Sequence, residues 1–382
     1  KVDREERPEI DAVYMKVCQV MTQSGGWPLT IMMSPDKQPF FAATYIPDVT
    51  RYGRVGLREM IPTIKKLWLE RRSDLLSDAS EITRVLNILP TAASQSPGEE
   101  VLHRAYRSLL TSFDQTYGGF GGAPKFPSPH NFFFLLRYWN RTGSEQALHI
   151  VEHTLQNMRR GGIYDQIGFG FHRYSTDERW IVPHFEKMLY DQAQLAVSYL
   201  EARQATGLEV YAWVARDIFT YVQRDLTSPA GGFYSAEDAD SLLAHGKPAH
   251  AEGAFYVWAK DEIEAVLGAE AAFFCAHYGV KPGGNVDHDP QGEFTGKNVL
   301  MQRQSLATTA RDCGLGVAAA SDRLLEGLAK LRARRAQRPR PQLDDKIITA
   351  WNGLMISALA KGAQVLGDPA YLTAATRAAE FV

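Results

Sequence analysis

The sequence has few cysteines and no long hydrophobic run. Its three cysteines, Cys18, Cys275 and Cys313, lie far apart, and none belongs to a CxxC pair. This spacing argues against a disulfide framework and favours a reducing compartment, so we expect a cytoplasmic protein. No apolar run approaches the roughly 20 residues that a membrane-spanning helix requires. We therefore expect no membrane partner.

Neither sign of charge predominates. Lys and Arg number 42 against 44 Asp and Glu, which gives a net charge of -2. A short run of arginines from Arg332 to Arg340 is interpreted as a solvated helix end, so nucleic acid is not an expected partner. The Walker, GxGxxG, HExxH and GxSxG motifs are absent, and we predict no cofactor. With 382 residues, of which 45% are hydrophobic and 23% charged, the chain predicts two soluble globular domains.

Residues 1–90 predict a mixed α/β domain. A helical pattern surrounds Ile10 and Val17, and two apolar runs, 29–33 and 39–45, predict strands on either side of a turn at Ser34–Lys37. Residues 56–88 predict a single charged helix. Residues 91–98, which are rich in Ala, Ser, Gln and Pro, are the predicted linker.

Residues 99–382 predict an array of helical hairpins. The stretches 131–157, 188–225 and 348–382 each read as a helix, a short glycine turn and a second helix. The first two run into glycine pairs at 161–162 and 231–232, and such repeats are typical of stacked or circular α-arrays. Long aromatic loops, with strand-like pieces in the insertion 230–340, favour a closing toroid over an open solenoid. Because the chain starts without Met and stops within a helical pattern, we expect both domains to be truncated.

The densest set of polar and aromatic side chains lies between Gly161 and Asp191. A sugar site uses these residue types, because aromatic rings stack on the sugar, carboxylates and arginine bind hydroxyl groups, and histidine or glutamate moves protons. We expect four of them to transfer protons: Asp165, His172, His184 and Glu186. We expect five others to bind the ligand: Arg173, Tyr174, Trp180, Lys187 and Asp191.

Pro183 predicts the first turn of a helix within this stretch. On such a helix His184, Lys187 and Asp191 share one face, which could be turned toward a cleft. The simpler alternative is an i,i+4 salt bridge between Lys187 and Asp191 with no role in binding.

A second cluster follows the glycine pair at 231–232. Its acids are Glu237, Asp238 and Asp240, and three acids in four positions resemble a cation loop. The glycine and terminal glutamate of an EF-hand are missing, so we predict no metal. The acids are interpreted as sugar-binding groups, with Asp238 as a candidate acid or base. The alternative is a solvated turn.

A third cluster comprises Asp344, Asp345, Trp351 and Asn352. Either aspartate is a natural N-cap for a helix that begins near Lys346. In a toroid the same position lies at the mouth of the barrel, where all four side chains would bind the ligand.

Several long motifs resemble the spermatogenesis-associated protein 20-like family of thioredoxin-domain proteins. They are KVDREERPEID at 1–11, GGWPL at 25–29, HFEKMLYD at 184–191, GGFYSAEDADS at 231–241 and LDDK at 343–346. The resemblance implies an α/β thioredoxin-like segment followed by an all-α (α/α)6-type toroid similar to six-hairpin glycosidases and N-acylglucosamine 2-epimerases. It also implies that Pro28 is the cis-proline of the thioredoxin fold. The cysteine segment of the family would lie upstream of Lys1, so Cys18 does not match it.

The leading functional hypothesis is a sugar-active enzyme that takes a small sugar or an oligosaccharide. In an epimerase or isomerase, His184 would be the base and His172 its partner, while Tyr174 and Trp180 stack on the ring. In a hydrolase, Glu186, Asp165 and Asp238 would supply the acid pair. A thioredoxin-type redox protein and a non-catalytic scaffold that binds a glycan or a protein are the alternatives.

Overall fold

The computed structural model describes residues 1–51, 53–88, 98–287, 289 and 292–382. The chain divides into two units, residues 1–96 and 97–382. The predicted linker at 91–98 lies outside the described residues except for Gly98, so the domain limits stay a prediction. Within the described ranges, no helix is both long and apolar enough to cross a membrane.

The first unit places helices against a β-hairpin. Its elements are α1 (Pro8–Thr22), β1 (Thr30–Met33), β2 (Pro39–Ala43), α2 (Leu57–Glu70) and α3 (Arg72–Ile88). The strands pair antiparallel, and α1 and α3 pack on β2 over a core that includes Cys18 and Ala42. The helix and both strands confirm the prediction. The single helix predicted over 56–88 is wrong, because Arg71 leaves helical geometry at φ -135° and ψ 38°.

The peptide bond between Trp27 and Pro28 is cis, as the family resemblance implies. It lies between the end of α1 and the start of β1. Cys18, on α1, is buried, and its thiol is not part of a disulfide.

The second unit is mainly helical. Its elements in chain order are α4 (Glu100–Ser112), α5 (Pro129–Thr142), α6 (Glu145–Arg160), β3 (Tyr174–Ser175), β4 (Pro183–His184), β5 (Lys187–Met188), α7 (Leu189–Thr206), α8 (Glu209–Asp225), β6 (Ala236–Glu237), β7 (Asp240–Leu242), β8 (His250–Glu252), α9 (Lys260–Leu267), α10 (Ala271–Tyr278), α11 (Leu306–Asp312), α12 (Val317–Arg335), β9 (Leu343–Asp344), α13 (Thr349–Leu366) and α14 (Pro369–Phe381).

The three predicted helical hairpins are confirmed as α5–α6, α7–α8 and α13–α14. Each turns at a glycine with positive φ: Gly143 at 71°, Gly207 at 75° and Gly367 at 68°. This left-handed conformation ends a helix without the steric cost that a Cβ would add. Helix α7 packs between α5 and α13, while α6, α8 and α14 pack against their own hairpin partners. The inner and outer helices are those of an (α/α) toroid.

The insertion between the last two hairpins differs from its prediction. No regular strand forms at 232–234 or 254–258, where Phe233 and Trp258 make only isolated bridges to Thr227 and Asn298. These segments instead bury aromatic side chains in the core, and the α-helices of the insertion are α9 to α12. A small antiparallel sheet in the order β5–β6–β9 joins the segments that precede α7 and α13. It fixes the loops at the N-terminal ends of these inner helices.

Candidate active site

The candidate site lies just before α7. The helix predicted from Pro183 is wrong: Pro183 and His184 form β4, and α7 begins only at Leu189. Side chains of an extended segment alternate between two faces. His184 and Glu186 are accordingly 27% and 23% exposed, whereas Lys187 is buried on the opposite face.

His184 lies between two carboxylates. Its Nδ1–H donates to Oε1 of Glu252 at 2.7 Å, and its Nε2 lies 3.7 Å from Oε2 of Glu186. Strand β4 pairs with β3, which places Tyr174 opposite His184, and the two rings stack with centroids 5.0 Å apart. The imidazole is thus held on one edge and one face while it stays partly accessible.

The two carboxylates change the pKa of His184. Burial lowers the pKa of His184, but the hydrogen bond that it donates to Glu252 and the charges of Glu252 and Glu186 outweigh burial and raise the pKa above its ordinary value. Burial raises the pKa of Glu252, and the hydrogen bond with His184 outweighs it, so the pKa of Glu252 is lowered. A histidine of this kind exchanges a proton close to neutral pH.

Arg173 links Glu186 to the start of α7. Its Nη1 donates to Oε2 of Glu186 at 2.6 Å, and its side chain is hydrogen-bonded to Tyr190. Burial raises the pKa of Tyr190 to about 12, so its hydroxyl stays protonated. The Nε of Arg173 is buried and has no hydrogen-bond partner in the described part of the chain. This guanidinium therefore has donor capacity left for an oxygen of a ligand.

Asp191 occupies the first turn of α7. Burial raises the pKa of its carboxyl well above the ordinary value, Arg173 opposes this shift and Glu186 adds to it. Its Oδ2 has no hydrogen-bond partner among the described residues. The pKa shift of Asp191 therefore favours the protonated, neutral form of its carboxyl. The alternative salt bridge with Lys187 is wrong, because the Lys187 ammonium contacts Asp165 at 2.8 Å.

Aromatic side chains flank these polar groups. Phe126 packs on Tyr174 with ring centroids 4.7 Å apart, and Tyr190 meets Trp351 edge-on at 4.8 Å. Trp351 lies in the first turn of α13. By contrast Trp180 is fully buried and donates its indole N–H to the carbonyl of Tyr117, so it has no exposed face and its predicted stacking role is wrong.

Two predicted proton-transfer residues lie inside the protein. Asp165 accepts two hydrogen bonds from Arg335, at 2.8 and 2.9 Å, besides the contact with Lys187. Burial raises the pKa of Asp165, but these cations outweigh it and hold the pKa well below its usual range, so this carboxylate has no proton to donate. His172 is buried with Nδ1–H on the carbonyl of Phe185, and burial holds its pKa well below the ordinary value. Asp165 and His172 therefore do not form part of the site around His184.

Two further predicted residues also point inward. Glu237 accepts a hydrogen bond from the Tyr221 hydroxyl at 2.8 Å and pairs with Arg340. Asn352 binds the backbone of Phe233 twice, accepting from its N–H and donating to its carbonyl. Both contacts hold the loops in place, and both residues are buried.

Asp240 pairs in register with Glu252 on the neighbouring strand, and the other predicted acids make contacts elsewhere. Asp238 is exposed and accepts the backbone N–H of Asp240, which is the local hydrogen bond of a solvated turn. Asp344 lies in β9 and binds the Lys346 ammonium at 2.5 Å. Neither Asp344 nor the exposed Asp345 caps a helix, because α13 begins only at Thr349. In the described part of the chain, no group of three His, Cys, Asp or Glu side chains is placed to hold a metal.

Glu252 is a site residue that accompanies the second cluster in the sequence but was not predicted to have a role in the site. It lies 68 residues beyond His184 and shares no motif with it. The one signal is Gly253, whose φ is +70° and where a Cβ would lie 2.5 Å from the ring of Phe185. This close approach brings Glu252 against the segment that carries His184.

Known proteins resemble the whole chain. The chain is 43% identical over 410 residues to human spermatogenesis-associated protein 20, and the match covers 100% of the chain and 51% of that protein. The mouse protein of the same name is 43% identical over 404 residues, with the same coverage. The chain belongs to the spermatogenesis-associated protein 20-like family. It spans about half the length of these relatives of the family.

A family model and solved structures complete the comparison. Residues 1–87 match the family described as "Thioredox_DsbH: Protein of unknown function, DUF255", which agrees with the thioredoxin-like first unit. The family 76 mannosidase Bt3792 of Bacteroides thetaiotaomicron shares 11% identity and a TM-score of 0.41, covering 72% of this chain and 50% of that one. Cellobiose 2-epimerase of Bacillus thermoamylovorans shares 10% sequence identity and a TM-score of 0.33. The match covers 74% of this chain and 86% of that one. TM-scores this low carry no argument about the reaction.

Proposed function

We propose that the helical unit catalyses proton transfer on a reducing sugar, with His184 as the general base. The observation that supports this most is the position of His184 between Glu252 and Glu186. Glu252 holds the proton on Nδ1, so Nε2 is the nitrogen that accepts a proton from the substrate. The base removes a proton from the carbon next to the carbonyl. Return of this proton to the neighbouring carbon is isomerisation, and delivery of a proton from a second acid to the opposite face of the same carbon is epimerisation.

The neighbours of His184 suit the other requirements of this reaction. Negative charge develops on the carbonyl oxygen as the proton leaves, and the Arg173 guanidinium is placed to stabilise it. Trp351 offers an aromatic ring for the sugar, whereas His184 and Phe126 already pack against Tyr174. We propose that the ligand of this site is a small sugar or an oligosaccharide.

Hydrolysis is the second candidate, and it draws on Asp191. The raised pKa of Asp191 favours a proton on its carboxyl that a leaving group could take, and the charge of Glu186 contributes to this shift. One protonated and one ionised carboxyl are the pair that glycoside hydrolysis uses. The pair differs from the one predicted from the sequence, since Asp165 and Asp238 lie elsewhere.

The test is NMR of the intact protein with a panel of reducing sugars and oligosaccharides in D2O. Deuterium that enters a ring position, and that is lost in His184→Ala but kept in the surface control His250→Ala, supports epimerisation or isomerisation. New anomeric signals that depend on Asp191 favour hydrolysis. Saturable binding without turnover of any sugar overturns both and leaves the binding scaffold.

A redox function has less support within this chain. The match of residues 1–87 to a thioredoxin-like family favours it at the level of the fold. All three cysteines are free, and Cys313 is the exposed one, so the chain offers no pair of thiols for disulfide exchange. A cytoplasmic location stays a prediction from cysteine usage.

A further inference from the structure

The loop between Asp165 and α7 organises several cations away from His184. Three successive backbone carbonyls, those of residues 167 to 169, each accept a hydrogen bond from a different cationic side chain. The donors are, in order, Arg332 at 2.9 Å, Arg224 at 2.7 Å and Lys187 at 2.8 Å. A carbonyl orients a cation without neutralising it. The three carbonyls therefore hold these cations together without adding a negative charge of their own.

These cations line a cavity of about 210 Å3, which we name the arginine cavity. Its charged lining residues are five cations and three carboxylates: Lys187, Arg224, Arg332, Arg335, Arg340, Asp165, Asp225 and Glu237. Each carboxylate is already bound to at least one of these cations. The lining keeps an excess of two positive charges.

Arg332 forms no salt bridge with a carboxylate in the described structure, and Asp165 and Asp217 attract it only from a longer distance. Its Nε binds the carbonyl of Ile167 and its guanidinium lies 4.6 Å over the ring of Phe169. Burial and then repulsion from Arg224 lower the pKa of Arg332. The interpretation of this arginine run as a solvated helix end is thus wrong for its inward members, of which Arg335 is only 5% exposed.

Tyr256, whose hydroxyl has no hydrogen-bond partner in the described residues, is a lining residue of the same cavity. Tyr256 is 7% exposed, and its buried Oη makes no hydrogen bond within the described residues. Burial raises the pKa of Tyr256 well above its ordinary value, so the hydroxyl remains a donor. A buried donor left unsatisfied is costly, and a ligand that accepts from it removes that cost.

We propose that the arginine cavity binds a phosphate-type oxyanion, either free or as the phosphate group of a small molecule. Guanidinium groups and a tyrosine hydroxyl are donors that match tetrahedral oxygens. The cavity is smaller than the roughly 300 to 1,000 Å3 of pockets that enclose drug-sized ligands, which suits a compact anion. The site is separate from His184, and its occupancy does not depend on the proposed sugar chemistry.

The test is calorimetric titration of the intact protein with inorganic phosphate at constant ionic strength, beside Arg332→Met. The control is Arg323→Met on the same helix, where the side chain is exposed and pairs with Glu270 at 3.4 Å. We expect saturable binding in the wild type and the control. Arg332→Met should weaken it about tenfold to a hundredfold, as a lost charged hydrogen bond does.

A second variant keeps the test decisive if Arg332→Met does not fold. Tyr256→Phe removes only the hydroxyl, so it should weaken phosphate binding while the melting temperature without phosphate stays unchanged or rises. Glucose 6-phosphate distinguishes the sources: tighter binding than phosphate indicates an ester, and equal binding indicates the free anion. Absence of saturable binding, or wild-type affinity in Tyr256→Phe, overturns the proposal whichever sugar chemistry His184 performs.

Discussion

The Nδ1 atom of His184 lies 2.7 Å from Oε1 of Glu252, although the two residues are 68 positions apart. Each stands on a short strand, β4 or β8, that pairs with a neighbouring strand of the same loop region. The contact fixes the tautomer of the ring and leaves Nε2 on the side of Glu186. This contact is the reason that we regard His184, which is partly exposed, as a candidate base.

We expect Glu252→Gln to lower the pKa of His184. The variant removes the negative charge that outweighs burial, so burial should then dominate. An NMR titration of the His184 ring measures the shift, and any turnover should reach its plateau at lower pH. Glu264→Gln, which changes an exposed acid on α9, should leave the titration unchanged. A pKa of His184 that stays raised in Glu252→Gln contradicts this assignment.

The same pair should make stability depend on pH in a defined window. The folded pKa of His184 is raised from 6.5, so its contribution is full below that value and is lost as pH rises through the folded pKa. The folded pKa of Glu252 is lowered from 4.5, so its contribution is full above that value and is lost as pH falls. The free energy of unfolding of the wild type should exceed that of Glu252→Gln most between these two values, by about 1 kcal/mol or less. A difference that grows toward pH 9 would contradict this.

Asp191→Asn should abolish or strongly reduce turnover if Asp191 donates a proton, while the fold is kept. Because the folded pKa of Asp191 is raised, the wild type loses stability as pH rises above the ordinary value of 3.8, and asparagine does not titrate. The variant should therefore gain stability relative to the wild type between acidic and neutral pH. Urea unfolding at several pH values measures this, with Asp322→Asn on the surface of α12 as the control. Equal pH slopes for the wild type and Asp191→Asn would show that Asp191 is ionised.

Asp165→Asn should be strongly destabilising. It leaves the buried cations Arg335 and Lys187 without their shared carboxylate, and removing one partner of a buried pair costs about 3–5 kcal/mol. Arg137→Met is the control, since the Arg137–Glu201 pair is exposed on its arginine side and should cost about 0–1 kcal/mol. Chemical unfolding compares the two. A cost for Asp165→Asn no larger than that of the control would mean that the buried cluster contributes no net stability.

Gly162→Ala should destabilise the loop that carries the site. An added Cβ would lie 2.1 Å from the carbonyl oxygen of Ile181 and 2.4 Å from the side chain of Val299. Overpacking of this kind costs about 1–3 kcal/mol or more. Gly122→Ala, where a Cβ would meet nothing within 4 Å, should change stability by about 0.5 kcal/mol or less. A thermal melt of the two variants checks the contrast.

The helical hairpins could be predicted from the sequence because their signals are local. A run of helical periodicity, a glycine at the turn and a second run fit within about 35 residues, which is the scale that periodicity reports. Gly143, Gly207 and Gly367 mark the three turns in the sequence and in the structure. The β-hairpin of the first unit was predictable for the same reason, since the Ser34–Lys37 turn separates two short apolar runs.

The site was predictable only in part, because its geometry depends on contacts between distant segments. His184, Glu186, Arg173 and Tyr174 come together as predicted neighbours. The segment before α7 was misread as helix, since two-residue strands leave no periodic signal and their pairing is set by partners far along the chain. Burial also decides chemistry that composition does not show: His172 and Trp180 look like site residues by type, yet both lie inside the core.

The β5–β6–β9 sheet joins residues 187–188, 236–237 and 343–344, three segments that the chain visits far apart. The helical hairpins join residues that are near each other in the sequence, so each closes only a short loop. The sheet joins residues that are far apart, so we expect it to form after the helices have packed together. We therefore expect the amide hydrogens of the sheet to gain protection last in a pulsed hydrogen-exchange refolding experiment. During synthesis, the proposed base His184 would leave the ribosome long before the strand at 343–344 that completes the sheet beside it.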